Sequence, residues 1–482
     1  MGNRSRTPSI HILDDDSLLH IFYLYRPFIL GEDEDNLDSG QRRLYGGSRG
    51  WDRGRWWYRL AHVCRRWRNI ILGSASYLDL SLVCTYGTPV ADMLTHSPHL
   101  PLAVDYHKGG HDITTDDEEG IIFALKQRER VLRLRLRAPV TSLRKFIAAM
   151  DDEYPILEFL VIQLPIEDKS TILIIPETLQ APHLRSLNLV GLALPIGSPL
   201  LTTAVGLVTL SLIMVHPSTY FQPDTLLQWI SLMPQLEMLR ISFQFPIPSL
   251  DAERQLTHTP ITAHVTLPNL HHFQFRGVPT YLEALVHQIA TPRLQKFLID
   301  FYNQLTFFVP RLLQFVIAAE NLRFGSAKFR FFSSVVNVRV YSSEEAEMYG
   351  FGTAVLCWHL DWQVSSMAQI INSLSQVFSA VEHFTLEHDE HSQSSEEHNE
   401  VDRTEWRRLL RPFSNVKTLR IKNGLVDDLS RCLQLEDGEP PLEVLPELQE
   451  LTYYGGGNIG DTFTPFVDAR RNAGRPITLV RL

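Results

Sequence analysis

A short apolar pattern, L-x-x-L-x-L with Val, Ile or Phe standing in for Leu, recurs along most of the 482 residues. It reads VLRLRL at Val131–Leu136, LEFLVI at Leu157–Ile162, LRSLNL at Leu184–Leu189 and LVTLSL at Leu207–Leu212. It continues as LEMLRI (Leu236–Ile241), LHHFQF (Leu270–Phe275) and LQKFLI (Leu294–Ile299). After a weaker copy, VVNVRV (Val335–Val340), it returns as VEHFTL (Val381–Leu386), VKTLRI (Val416–Ile421) and LQELTY (Leu448–Tyr453). The fourth positions Leu134, Leu160, Leu187, Leu210, Leu239, Phe273 and Phe297 stand 26, 27, 23, 29, 34 and 24 residues apart. Phe384, Leu419 and Leu451 are separated by 35 and 32. These values centre on a leucine-rich-repeat period of roughly 20–29 residues, lengthened where loops are inserted.

The spacing has a direct physical reading. In L-x-L the two apolar side chains lie on one face of a strand, and the first Leu anchors the turn that leads in. One such strand cannot bury its face, whereas stacked neighbours share a continuous core. Between the strands, TLLQWISLMPQ (Thr225–Gln235) places Leu226, Leu227, Ile230 and Met233 at helical spacing. SMAQIINSLSQVF (Ser366–Phe378) does the same with Ile370, Ile371, Leu374 and Phe378, and DTFTPFVDARRNAG precedes a final PITLVRL in a helix-then-strand order. Length alone suggests about three domains at roughly 150 residues each; the repeat replaces that with one long array. Residues 301–360 fit the period poorly. FVPRLLQFVIAAENL reads as a helix, but FRFFSSVVNVRVY and TAVLCWHLDW read as strands with no clean helix between them. The stretch Ser186–Gln222 holds no Asp, Glu, Lys or Arg, yet Pro195, Gly197, Pro199, Gly206 and Pro217 interrupt it, so strands and turns are expected there rather than a membrane span.

Residues 10–80 lack the repeat. Asp14, Asp15 and Asp16 precede Leu18, Ile21, Phe22 and Tyr25, spaced i, i+3, i+4, i+7. Acidic residues at a helix start complement the dipole, and one of them can cap it. A second helical pattern runs through WWYRLAHVCRRWRNIIL (Trp56–Leu72), with Leu60, Val63, Cys64, Trp67 and Ile71 as its stripe. These two halves resemble an F-box, whose usual form is L-P-x-E-L-L-x-x-I-F followed by a helix containing V-C-[RK]-x-W-R. Leu13, Asp16, Leu18, Ile21 and Phe22 fall on the first half; Leu60, Val63, Cys64, Arg65, Trp67, Arg68 and Ile71 fall on the second. The sequence departs from that form at Asp14, where the family prefers Pro, at Ser17, where it prefers Leu, and in a longer segment 31–55. Together with the repeats and the ending FVDARRNAGRPITLV, the chain resembles the large F-box families of fungi.

The resemblance implies an α/β fold class: an N-terminal helical F-box followed by a leucine-rich-repeat solenoid, a curved parallel sheet with helices outside. The expected division is a tail over 1–9, the helical module over 10–80 with the inserted loop 31–55, and repeats over 81–482, irregular at 301–360 and with a polar loop at 387–405. It further implies a substrate-recognition subunit of a Skp–cullin–F-box ubiquitin ligase. Leu13, Leu18, Ile21, Phe22, Leu60, Val63, Cys64, Trp67 and Ile71 would then dock the Skp-type adaptor, and through it the cullin and RING subunits. The repeats would hold a protein substrate whose identity cannot be read. The chain itself would need no catalytic residue and no cofactor. A scaffold outside any ligase, binding partners through the repeats alone, is the alternative.

Motifs for other functions find weak contexts. GGSRG (Gly46–Gly50) matches G-x-S-x-G but has no strand before it. GGGNIG (Gly455–Gly460) matches G-x-G-x-x-G between a strand-like and a helix-like segment, but no acidic residue follows Asp468 to meet a ribose. His388, His391 and His398 lie among carboxylates in a polar Ser-rich run, which reads as a solvated loop rather than a metal site. Nine Arg against only Asp52 mark Arg42–Arg68, with Trp51, Trp56, Trp57 and Trp67 among them. Such a mixture could stack bases, but 45 Lys+Arg against 55 Asp+Glu, a net charge of -10, argue against a nucleic-acid binder. Cys64, Cys84, Cys357 and Cys432 are too scattered for a disulfide scaffold or a zinc site. The start, MGNRSRTPSIHILDDD, lacks the apolar core of a signal peptide, so a cytoplasmic or nuclear location is expected.

Overall fold

A computed structural model describes residues 13–26, 55–107, 112–165, 172–244, 264–302, 307, 309–342, 349–388, 402–422, 424–434, 440, 442–454 and 463–481. They fall into two compact units, 1–184 and 185–482. In both, a mostly parallel sheet alternates along the chain with helices, so the protein is mixed α/β.

The first unit opens with three helices, α1 (Asp15–Tyr25), α2 (Trp56–Ala61) and α3 (Arg65–Gly73). Strands β1 (Leu82–Cys84), β2 (Leu102–Tyr106), β3 (Val131–Arg137) and β4 (Phe159–Gln163) follow. They pair in chain order and in parallel. Helices α4 (Val90–His96), α5 (Thr115–Leu125) and α6 (Val140–Ala148) lie between them in sequence. Thr114 and Asp117 form a reciprocal capping box at the start of α5, each side chain accepting from the other's backbone N–H. In β3 the sequence VLRLRL buries Val131, Leu134 and Leu136 and leaves Arg133 and Arg135 on the other face.

The second unit carries β5 (Ser186–Val190), β6 (Thr209–Val215), β7 (Met238–Phe243), β8 (His272–Gly277) and β9 (Lys296–Tyr302), then β10 (Ser326–Phe331), β11 (Val335–Tyr341) and β12 (Gly350–Leu356). It ends with β13 (His383–His388), β14 (Thr418–Lys422), β15 (Glu450–Tyr453) and β16 (Thr478–Arg481). Their spatial order is β5-β6-β7-β8-β9-β12-β11-β10-β13-β14-β15-β16. The core lies on the face of the alternating Leu, Ile and Phe: Leu187, Leu210, Leu239, Phe273, Phe297, Leu419 and Leu451 are all fully buried. Successive strands are locked at their starts by backbone bonds, with Glu237 N–H donating to Val208 O, His271 N–H to Glu237 O and Gln295 N–H to His271 O. The first Leu of each pattern closes a tight turn, as when Leu207 N–H reaches Ala204 O and Leu294 N–H reaches Thr291 O. An Asn just before Leu270, Leu322 or Val416 ties one turn to the previous one: the amides of Asn269, Asn321 and Asn415 donate to the carbonyls of Pro234, Pro292 and Ser379.

Thr225–Gln235 contributes helix α8 (Pro223–Ser231), after a short α7 (Pro199–Thr203); α9 (Pro279–Val286) and α10 (Pro310–Ala318) follow. The segment Ser366–Phe378 lies in α11 (Leu360–Ser373) and α12 (Ser375–Phe378). Further along come α13 (Arg403–Leu410), α14 (Val426–Leu433) and α15 (Thr464–Asn472). Five of these carry Pro in the first turn, where the missing N–H has no intrahelical partner to lose: α7, α8, α9, α10 and α15.

Residues 301–360 break the period for a structural reason. VVNVRV is a strand, β11, but it runs antiparallel to both β10 and β12. Phe332 N–H donates to Val335 O, so Ser333 and Ser334 form the hairpin turn within FRFFSSVVNVRVY. TAVLCWHLDW is a strand only as far as Leu356; Leu360, Asp361 and Trp362 already belong to α11. The charge-free stretch 186–222 contains β5, α7 and β6, and among the described residues no helix is long and apolar enough to cross a membrane.

Candidate functional site

The candidate site is built from α1, α2 and α3. Asp14 starts α1: its side chain accepts the Ser17 N–H at 2.7 Å, and that bond holds the Asp14 carboxyl below its ordinary range. Arg66 on α3 reaches back across the chain, donating to Asp15 Oδ1 at 2.8 Å and to the Leu13 carbonyl at 2.6 Å. Phe22 meets Trp67 edge to face at 4.9 Å. Arg68 donates to Ala61 O at 3.1 Å and joins α3 to the end of α2. Trp57 is buried and donates its indole N–H to Ser81 O at 3.3 Å.

The stripe over Trp56–Leu72 is not one helix, as its spacing suggests. Cys64 is fully extended, with φ -160° and ψ 169°, and its Sγ accepts the Trp67 N–H at 3.5 Å, so it caps α3. Sequence reasoning looks for Ser, Thr, Asp or Asn at such a position, and the VCRRWR motif hides the break because a cysteine does that work. The consequence is that Val63 leaves the stripe and stands 58% exposed.

The nine residues expected to dock an adaptor divide into three groups. Leu18, Phe22 and Ile71 are buried and form the interior of the helical module. Leu13, Leu60, Cys64 and Trp67 are half-buried. Ile21 and Val63 are exposed. Three further large side chains on α1 join the exposed set: Leu24 at 69%, Tyr25 at 59% and Tyr23 at 39%. Leu24 lies three residues after Ile21 on the same helix, so i, i+3 spacing could have found it. Tyr25 faces Trp56 of α2 at 6.4 Å, while Tyr23 meets Tyr77 at 5.2 Å and carries the Arg26 guanidinium over its ring at 5.3 Å.

Other candidate residues have structural roles or lie elsewhere. GGSRG, GGGNIG, His391 and His398 fall outside the described residues. His388 is the last residue of β13 and is buried. Among the described residues no group of three His, Cys, Asp or Glu could hold a metal ion. All four cysteines are free. Burial pushes the thiols of Cys84 and Cys432 up to about 12 and raises that of Cys357, so these stay protonated and poorly nucleophilic. Within the basic segment, Arg55 is bonded to Val83 O and Thr88 Oγ1, and Arg66 and Arg68 hold helices together. This geometry offers a folded helical module that keeps one apolar face inside and shows Ile21, Leu24, Tyr25 and Val63 to the outside. Neither the family models nor the curated proteins contain a match to this chain.

Proposed function

We propose that the chain is the substrate-recognition subunit of a Skp–cullin–F-box ubiquitin ligase. The helical module docks a Skp-type adaptor, which brings the cullin and RING subunits, and a leucine-rich-repeat solenoid built from the parallel strands holds a protein substrate. Ubiquitin transfer belongs to the other subunits, so the chain supplies position rather than chemistry, in the cytoplasm or nucleus.

The observation that carries this reading is the division of apolar residues on α1. Leu18 and Phe22 satisfy the module's own interior, yet Ile21, Leu24 and Tyr25 remain exposed on the same helix. A helix that has already buried one face gains nothing from a second apolar face unless a partner covers it. Sequence resemblance supports the choice of partner, through VCRRWR and the apolar spacing of Leu18, Ile21 and Phe22.

The test is calorimetric titration of a Skp-type adaptor into the full chain. A fully buried Leu is worth about 1.5–3 kcal/mol, so covering the exposed two-thirds of Leu24 contributes about 1–2 kcal/mol. Leu24→Asp adds the cost of burying an unpaired carboxylate, and the expected loss is at least about tenfold in Kd. Because Leu24 is exposed, the variant should keep its thermal stability. Full-strength binding by a folded Leu24→Asp/Val63→Asp double variant would leave the non-ligase scaffold as the better reading.

A further inference from the structure

Among the described tryptophans only Trp358 and Trp362 are exposed, at 77% and 54%; Trp57, Trp229 and Trp406 are buried, and Trp56 and Trp67 half-buried. The exposed pair stands where β12 hands over to α11, at the carboxyl end of a strand, which is where open α/β sheets receive ligands. Local structure explains the exposure. His359 is the N-cap of α11, with φ -113° and ψ 136°, so Trp358 precedes the cap and Gln363 is the fourth residue of the helix. An apolar residue before a cap often packs on that fourth residue. Here Gln363 is 1% exposed, and its amide nitrogen donates to the carbonyls of Phe332 and Cys357, both at 2.8 Å. Trp358 therefore has no apolar partner at that position and stays in solvent.

The same turn carries a negative charge that no described residue neutralises. Asp361 lies between the two tryptophans in sequence and is half-buried; it makes no ion pair with a described residue, and its inner oxygen, Oδ1, accepts no hydrogen bond. The basic side chains of β10, Lys328 and Arg330, are held by Glu387, both at 3.2 Å. The exposed His359 ring meets Trp362 edge to face at 5.3 Å, which gives that indole a fixed neighbour on one side.

We propose that Trp358, Asp361 and Trp362 bind a basic segment of a partner protein, by taking up its lysine or arginine side chains. The inference rests on the receptor reading and gives its substrate a chemical class. Indole faces attract ammonium and guanidinium groups through the ring quadrupole, and Trp is the strongest of the aromatic residues in this respect. An unpaired carboxylate beside them adds a Coulomb attraction of the same sign. Bases also stack on exposed aromatic side chains, and indoles also settle at lipid headgroups. Both of those ligands bring phosphates, which Asp361 and the net charge of -10 repel. That charge attracts a basic segment instead, so the aromatic and the electrostatic features agree on one ligand.

The experiment is fluorescence anisotropy of labelled decalysine with the full chain, beside decaglutamine, decaglutamate and a single-stranded oligothymidine of similar length. Decalysine is expected to bind, and to bind more weakly as salt rises. Trp358→Leu/Trp362→Leu keeps the surface apolar but removes both ring faces, and should cost about tenfold in affinity. Both side chains are exposed, so the variant should keep its melting temperature; Trp358→Leu alone, at the more exposed position, is the second variant and should cost about threefold. Asp361→Asn should cost about threefold, whereas Asp116→Asn, an exposed carboxylate on α5, should change binding less than about twofold and so measures what net charge alone contributes. Absence of decalysine binding, equal affinity of the folded tryptophan variants, equal effects of Asp361→Asn and Asp116→Asn, or tighter binding of oligothymidine would overturn the proposal. Adaptor titration of the same Trp358→Leu/Trp362→Leu protein separates the two readings. If decalysine fails while the adaptor still docks, the basic-substrate inference alone falls; if decalysine binds through the tryptophans and the adaptor does not dock, the ligase reading falls.

Discussion

Phe384→Ala tests whether the second unit is held together strand by strand. Phe384 is 1% exposed on β13, stacked on Phe413 at 4.3 Å with an interplanar angle of 11°, and edge-on to Phe329 of β10 at 5.0 Å. Phe413 also meets Phe378 at 5.5 Å, and Phe378 meets Phe351 of β12 at 6.4 Å, so the cluster joins the antiparallel hairpin region to the parallel strands that resume after it. Removing a buried Phe side chain costs about 3–5 kcal/mol. In a stack where each strand leans only on its neighbours, that cost stays local. Hydrogen exchange read by mass spectrometry should show amides of β10, β13 and β14 losing up to about three decades of protection, taking about 4 kcal/mol at 1.4 kcal/mol per decade. Amides of β5, β6 and β7, several strands away, should change by less than one decade, about 1.4 kcal/mol. A uniform loss over β5–β16, or no loss at β10 and β14, would refute the reasoning.

Further outcomes follow from single residues. Burial, then the charges of Lys296, Arg240, His271 and Arg339, lower the pKa of His272 from 6.5 to about 2. The unfolded chain therefore binds a proton below about 6.5 that the folded chain refuses. Stability should be full above that pH and fall by about 2 kcal/mol at about pH 5. Urea midpoints across pH should show this slope, and His272→Gln should remove it; a wild-type midpoint flat from neutrality to about pH 5 would contradict it. Gly350 has φ +117° and would place a Cβ 2.2 Å from Val340 O, whereas a Cβ on Gly352 meets only movable side chains. Gly350→Ala should therefore lower the melting temperature well beyond Gly352→Ala, with about 1–3 kcal/mol from backbone strain alone, and equal shifts would sink that account. Asp14→Asn should preserve the start of α1 by circular dichroism, while Asp14→Ala should fray it, because only the cap to Ser17 distinguishes them.

The repeat made most strands legible, because L-x-L alternation must bury one face and the period states how often. VLRLRL and LVTLSL fall on β3 and β6 for that reason. Chain direction was not legible. VVNVRV alternates as the parallel strands do, and only the Ser333–Ser334 turn sends it back antiparallel. Spacing in the helical module gave the right elements but the wrong continuity. A periodic stripe cannot show that Cys64 leaves helical dihedrals to cap α3, nor therefore that Val63 points outward. Asn269, Asn321 and Asn415, each just before an apolar residue, carried a signal that the apolar pattern overshadowed, since their amides serve the neighbouring turn rather than the core.

The most direct measurement for the account is purification of the tagged full chain from cells, with mass spectrometry of what remains bound, beside the Leu24→Asp/Val63→Asp protein. A Skp-type adaptor and a cullin at near-stoichiometric amounts with the wild-type chain, and their loss from the folded variant, is the predicted result. A wild-type chain that emerges folded and without an adaptor would contradict it.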